Sequence, residues 1–411
     1  MVTKYDIFEF GYTKRSLIRP IEVVKAFNKN EEEYDSIHRY LSELVKDKLF
    51  VKKKKGFEVN ITKESDYLYR IIRYCLFNGI NYNLLLNKNI ADFMSRALQK
   101  NTVTSSIVKV NPKTFKKYTE TLERSGLLLK LSEKPLRAKV FYNSLVNNIL
   151  VYFGYKHSVM EDDKNNYMKY IESELVKFNK LRKKDEEGYR QIIRDFQISF
   201  IHHSLSIEGN PITLNETRVI LEKDIIPANL KIEHVDEVKN YQKAIAEMIK
   251  NVQEKKPLSV QVILSYHARA MQHRPEIAGK IRAKEVHIRN NPDFTVSKVE
   301  EIEHGLYELF LKYNEFIAKK TTIKETIDFA VYLHNQFQHI HPFEDGNSRT
   351  TRLVAFHLLQ LKDIPVLDMP LGLLDEYILA TKGSTKRDDA KLYQTLQKII
   401  LYNLKKINER L

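Results

Sequence analysis

The sequence predicts a mainly α-helical protein carrying a few short, basic β-hairpins, and three observations predict it. Gly and Pro are scarce, at 12 and 11 of 411 residues, so little interrupts long helices. Apolar residues recur at helical spacing through most of the chain. Alternating runs broken by Lys-rich or Pro-containing turns occur at only a few places. The length suggests two or three domains, and the 43% apolar and 29% charged composition is that of a globular protein with no run of roughly 20 apolar residues to span a membrane. The opening MVTKYDIFEFGYTKR puts acids where a secretory leader carries an apolar run, so a cytoplasmic location is expected. The single cysteine, Cys75, excludes an internal disulfide, fits a reducing compartment and reads as a small core residue.

In chain order, Tyr34, Ile37, Leu41 and Leu44 first mark a helix by their spacing, and LFVKKKKGFEVNI follows as strand, Lys-rich turn and strand. SDYLYRIIRYCLFNG and NKNIADFMSRALQ read as two more helices. NPKTFKKYTETLERSG reads as a third, with Asn111 as N-cap, Pro112 at the first helical position and Gly126 as its stop. LLLKLSEKPLRAKVFYN then makes a hairpin turning at Glu133 to Pro135. Three helices and a basic hairpin resemble a winged helix, most clearly over residues 63–150 and more faintly over 1–62. Lys113, Lys116 and Lys117 lie at the end of the third helix that such domains place in the major groove. Residues 1–150 hold 28 Lys and Arg against 16 Asp and Glu, a surplus of +12, whereas the remainder holds 40 against 37. That asymmetry points to DNA binding through residues 1–150, with a protein-docking role as its alternative.

From about residue 151 the pattern turns to longer helices, with one further hairpin expected at EVHIRNNPDFTV. The chemistry concentrates in HPFEDGNSRTTR, residues 341–352. Gly346, Asn347 and Ser348 open a helix, where free N–H groups and the helix dipole attract phosphate. Arg349 and Arg352, three apart, can clamp a polyphosphate. Asp345 is an oxygen ligand of the kind Mg²⁺ takes when it bridges protein and phosphate, and His341 can accept a proton at neutral pH. His334 and His339 read as structural, and His202 and His203 as helix surface and interior.

The stretch resembles the signature of Fic proteins, HPFxDGNGRxxR, at every fixed position but Ser348, where that family usually has glycine. The resemblance implies an all-helical core with a hairpin flap at about 284–296, and transfer of AMP from ATP, with Mg²⁺, to a Ser, Thr or Tyr hydroxyl of a target protein, the chain itself included. It implies His341 as base, Asp345 as metal ligand, Asn347 on the α-phosphate, Arg349 and Arg352 on the outer phosphates, and Phe343 packing the loop. If position 348 needs a positive φ, Ser348 costs on the order of 1 kcal/mol there. SLSIEGN, residues 204–210, resembles the inhibitory SxxxE(G/N)N motif, with Ser204, Glu208, Gly209 and Asn210 at its fixed positions on a helix of about 195–210. By that resemblance Glu208 pairs with Arg352 and fills the place of the γ-phosphate. GKIRAKEVHI resembles the approach to the target-positioning flap, with Val286 and Ile288 as its edge, and LDEYILA the base pocket, where Tyr377 stacks on adenine or sits in the core. Removal of AMP, a nucleotide-responsive DNA-binding regulator and a homodimer stay open.

Overall fold

In the computed structural model the described residues are 2–155, 163, 165–288, 291–382 and 388–411. They group into two compact units, one of residues 2–100, 105–122 and 144–155, the other of 101–104, 123–143 and the described residues from 163 onward. Packing thus groups the chain otherwise than the sequential division at 62 and 150, since the second hairpin belongs with the long helices.

The first unit holds α1 (Lys4–Lys14), α2 (Pro20–Ala26), α3 (Tyr34–Lys46), β1 (Phe50–Lys53), β2 (Gly56–Val59), α4 (Lys63–Phe77), α5 (Tyr82–Leu85), α6 (Lys88–Leu98), most of α7 (Pro112–Arg124) and α8 (Ser144–Tyr152). Thr3 starts α1 with a capping box, its hydroxyl accepting from Asp6 N while Asp6 Oδ2 accepts from Thr3 N. Ile37, Leu41 and Leu44 of α3 are buried, whereas Tyr34, one turn earlier on the same stripe, is 39% exposed. β1 and β2 pair antiparallel from Phe50↔Val59, and Ile18 bridges to Phe57. Asn111 Oδ1 accepts from Lys113 N at 2.9 Å at the start of α7, where Pro112 takes the first helical position. Cys75 is fully buried, and burial pushes its thiol up to about 12, which makes it an inert core residue.

The second unit contains β3 (Leu128–Glu133) and β4 (Leu136–Val140), then α9 (Met168–Arg182), α10 (Glu186–Ser206), α11 (Leu214–Lys223), α12 (Ile232–Gln253), α13 (Val260–Ala270), α14 (Ile302–Ile317), α15 (Ile323–Ile340), α16 (Asn347–Leu361), α17 (Leu374–Ala380) and α18 (Asp389–Arg410). Gly126, at φ +69, ends α7, and its carbonyl accepts from Gly372 N at 2.9 Å. Two of the hairpin's basic residues turn toward carboxylates, Lys130 meeting Glu123 at 2.8 Å and Lys139 meeting Asp163 at 4.0 Å, while Lys134 and Arg137 are exposed. α16 packs against α12, α13 and α15, and every residue from Asn347 to Leu359 is buried, so it is the central helix of the unit. Its two buried threonines are satisfied locally, Thr350 Oγ1 donating to Gly346 O and Thr351 Oγ1 to Asn347 O. Among the described residues no helix is long and apolar enough to cross a membrane.

Candidate active site

The catalytic-type loop lies between α15 and α16. α15 ends with His341 in the left-handed region, φ 49° and ψ 58°, its N–H donating to Phe337 O. Glycine usually takes such a position, and a side chain there costs about 1 kcal/mol, a strain that clusters at functional sites. Arg282 offsets it, donating from Nε to His341 O at 2.8 Å and from its backbone N to Pro342 O at 2.9 Å. The imidazole is 8% exposed, and Nδ1 lies 3.2 Å from Gln338 O. A carbonyl can only accept, so Nδ1 carries the proton and Nε2 keeps the free lone pair. Burial pushes the His341 pKa down to about 4; the Gln338 carbonyl opposes this, and the Arg282 and Lys382 charges add to it. At neutral pH the ring is therefore neutral.

The loop is braced from inside. Asn347 Nδ2 donates to Phe343 O at 2.7 Å, and its Oδ1 accepts from Phe343 N at 2.9 Å. The side-chain amide thus closes the loop on itself, and the Asn347 backbone N–H stands at the open start of α16. Phe343 is buried and stacks on His267 with centroids 3.7 Å apart. Gly346 caps α16 at φ +80, where a Cβ would come within 2.9 Å of Met271 Sδ, so this position requires glycine. Ser348 lies two residues further on, inside the helix, and carries no positive φ. The positive φ falls on Gly346, which adopts it without strain, and the first turn of α16 presents the N–H groups of residues 347–349.

Both clamp arginines are paired. Arg352 donates from Nε to Ser204 Oγ at 2.7 Å, and from Nη2 to Ser204 O at 2.9 Å and to Glu208 Oε1 at 3.0 Å. The other Glu208 oxygen accepts from Lys382 Nζ at 2.8 Å. Burial would raise the Glu208 pKa, but the Arg352 and Lys382 charges outweigh it and hold it at about 2. The carboxylate is thus ionised throughout the physiological range, and protonation cannot release it. Arg349 meets Glu237 at 3.0 Å and Asp345 at 3.2 Å, and Asn210 joins the same Glu237 at 2.7 Å. Gly209 turns the chain between Glu208 and Asn210 at φ +95.

A cleft of about 180 Å³ is lined by Glu208, His341, Asp345, Ser348, Ile288 and Lys382, among others. Ile288 is buried and Val286 half-buried, and the only pairing among the described residues of the expected flap hairpin is one bridge from Ile288 to Asn291; residues 289 and 290 lie outside the described set. Tyr377 is 5% exposed and its hydroxyl lies 2.7 Å from His334 Nε2, which is a core placement. His202 and His203 are both buried, against Ile212 O and Asp368 respectively, so neither is at the surface. His339 stacks on Phe294 and meets Thr295 O, bracing the flap segment. Arg274, at 3.0 Å from Asp345, together with Lys382, Arg282 and Glu237, was not marked by any local sequence signal. Among the described residues no three His, Cys, Asp or Glu side chains converge on a metal position. Asp345 is a half-exposed carboxylate at the mouth of the anion loop, met by Arg274 and Arg349, and an oxygen donor of the kind Mg²⁺ takes beside phosphates.

Residues 257–359 match the Fic/DOC family profile. The protein adenylyltransferase Fic of Nematostella vectensis is 30% identical over 180 residues, covering 43% of this chain and 40% of that protein. Protein adenylyltransferase fic-1 of Caenorhabditis elegans is 26% identical over 195 residues, covering 46% and 36%. The chain thus spans under half the length of these relatives. Among solved structures, Fic-1 from C. elegans superposes with a TM-score of 0.51 at 22% identity, over 60% of this chain and 71% of that one. A Fic domain containing signaling protein from Bacteroides thetaiotaomicron gives 0.51 at 19% identity, over 60% and 96%. With its loop motif, buried central helix and helical fold, this chain carries a Fic/DOC-family domain at residues 257–359.

Proposed function

We propose that this chain is a protein adenylyltransferase held at rest by its own Glu208. The observation that carries the reading is the Glu208 carboxylate seated on Arg352 and Lys382, in the same cleft as a neutral His341 whose Nε2 is free. The names of the relatives support the class of reaction. In the reaction a target hydroxyl oxygen attacks the α-phosphorus of ATP while its proton passes to His341 Nε2. The bond from the α-phosphorus to the oxygen bridging to the β-phosphate breaks, and pyrophosphate leaves. The N–H groups of residues 347–349 face the phosphates, and Arg352 receives the outer ones once Glu208 withdraws. Asp345 would hold Mg²⁺, which supplies charge neutralisation on the phosphates. The direct test is mass spectrometry of the chain and of α-labelled ATP incorporation after incubation with ATP and Mg²⁺: a gain of AMP supports transfer, and loss of AMP from a modified protein supports the reverse reaction.

The shifted His341 sets a pH dependence. Because its pKa is about 4, the base form persists well below the ordinary histidine range. In the Glu208→Gly protein, the rate of label incorporation is expected to be flat from about pH 6 to 8 and to fall only as pH approaches 5 and below. A half-loss near pH 6.5 would show an unshifted imidazole.

A second reading, DNA binding, is favoured by one feature of the first unit. Lys113, Lys116 and Lys117 are exposed on the first turns of α7, as are Lys52 to Lys55 around the β1–β2 turn. The full chain is expected to bind duplex DNA at low salt, with Lys113→Glu and Lys116→Glu together lowering the salt slope by about two. No binding in anisotropy measurements at low salt would remove this reading. Lys130 and Lys139 contribute nothing to it, being ion-paired inward.

A further inference from the structure

We propose that Lys382 is a ligand of the nucleotide's terminal phosphates, the second cation beside Arg352 of the site that Glu208 fills. The inference rests on the adenylyltransferase reading and adds a residue to it.

One carboxylate is shared by two cations, Arg352 Nη2 at 3.0 Å on Oε1 and Lys382 Nζ at 2.8 Å on Oε2. The two positive groups therefore flank a single anion position. Their alternatives are few. Arg349 is already met by Glu237 and Asp345, and no second carboxylate pairs with Lys382 or Arg352 among the described residues. When Glu208 withdraws, two poorly exposed cations remain without a counter-ion, an unfavourable state that an incoming polyanion relieves. Lys382 is also placed for this. It lines the cleft together with His341 and Asp345 to Ser348, and its backbone carbonyl accepts from Asn291 Nδ2 at 2.7 Å, which fixes the stem's origin. An ammonium is a point charge that serves phosphate without demanding a fixed approach, whereas Arg352 supplies directed donors. The carboxylate group that Glu208 contributes thus stands where a phosphate of the nucleotide would sit.

If Lys382 only latched Glu208, its loss would matter solely while Glu208 is present. A phosphate ligand matters after Glu208 is gone, and the test uses that difference. In full-length protein carrying Glu208→Gly, with His341→Ala to prevent turnover, calorimetry with ATP and with AMP would be compared with and without Lys382→Met. The expected result is ATP affinity weakened about tenfold with AMP affinity nearly unchanged, and most of the loss restored by Lys382→Arg. ATP affinity unchanged by Lys382→Met, in protein that keeps its helical circular dichroism, overturns the assignment and leaves the adenylyltransferase reading standing. Failure of the Glu208→Gly, His341→Ala protein to bind ATP at all overturns both.

Discussion

Glu208→Gly is expected to raise incorporation of label from α-labelled ATP, self-modification included, by about an order of magnitude or more, and Arg352→Ala is expected not to. The Glu208 carboxylate now occupies both Arg352 and Lys382, so a triphosphate meets a filled site and a like charge. Removing it frees the two cations and lets the α-phosphate settle in line with the attacking oxygen, and positioning of that kind is worth several kcal/mol. Removing Arg352 also breaks the inhibitory pair, yet it deletes a guanidinium that stabilises charge as the phosphate is transferred. The two substitutions therefore move the rate in opposite directions. Unchanged incorporation in a folded, ATP-binding Glu208→Gly protein would reduce the turn after α10 to a plain helix end.

His341→Ala is expected to lower transfer by about 10²–10⁴-fold while ATP affinity changes by less than about threefold. Nε2 is the atom with a free lone pair in the cleft, Nδ1 being committed to Gln338 O, and none of the anion-binding N–H groups belongs to His341. The loss should appear in kcat and not in nucleotide binding, measured by single-turnover labelling beside calorimetry. Turnover retained at near the parent rate would remove the imidazole from the mechanism.

The part of this site that could be read from sequence is the part whose residues are neighbours in sequence. His341 to Arg352 is one loop and the start of one helix, so residue types at fixed spacing already imply an anion site beside a base. Helix starts such as Asn111 and Pro112 were legible for the same reason, since capping is decided within three or four residues. What could not be read are pairings across the chain. Lys382 meets Glu208 across 174 residues, and Arg349 meets Glu237 across 112. In a chain with 68 Lys and Arg, a single lysine after α17 carries no local mark of being the one that turns inward. Of the expected flap hairpin one antiparallel bridge, Ile288 to Asn291, lies among the described residues, and side chains hold the rest of the segment: Arg282, Glu285 and His339 tie it to Ser297, Val299 N and Thr295. Tyr377 shows the same limit, because apolar periodicity cannot distinguish a ring that faces a ligand from one that faces a buried histidine.

The closed circle between Asn347 and Phe343, with Phe343 stacked on His267, has a thermodynamic consequence. The donors at the start of α16 are held in place by side chains of the protein and not by the nucleotide, so their ordering entropy is spent during folding. An arriving triphosphate therefore finds its hydrogen-bond partners already aimed, and little reorganisation accompanies the build-up of charge on the phosphorus oxygens. Its binding free energy is left for a different expense, the displacement of an ionised carboxylate from two cations.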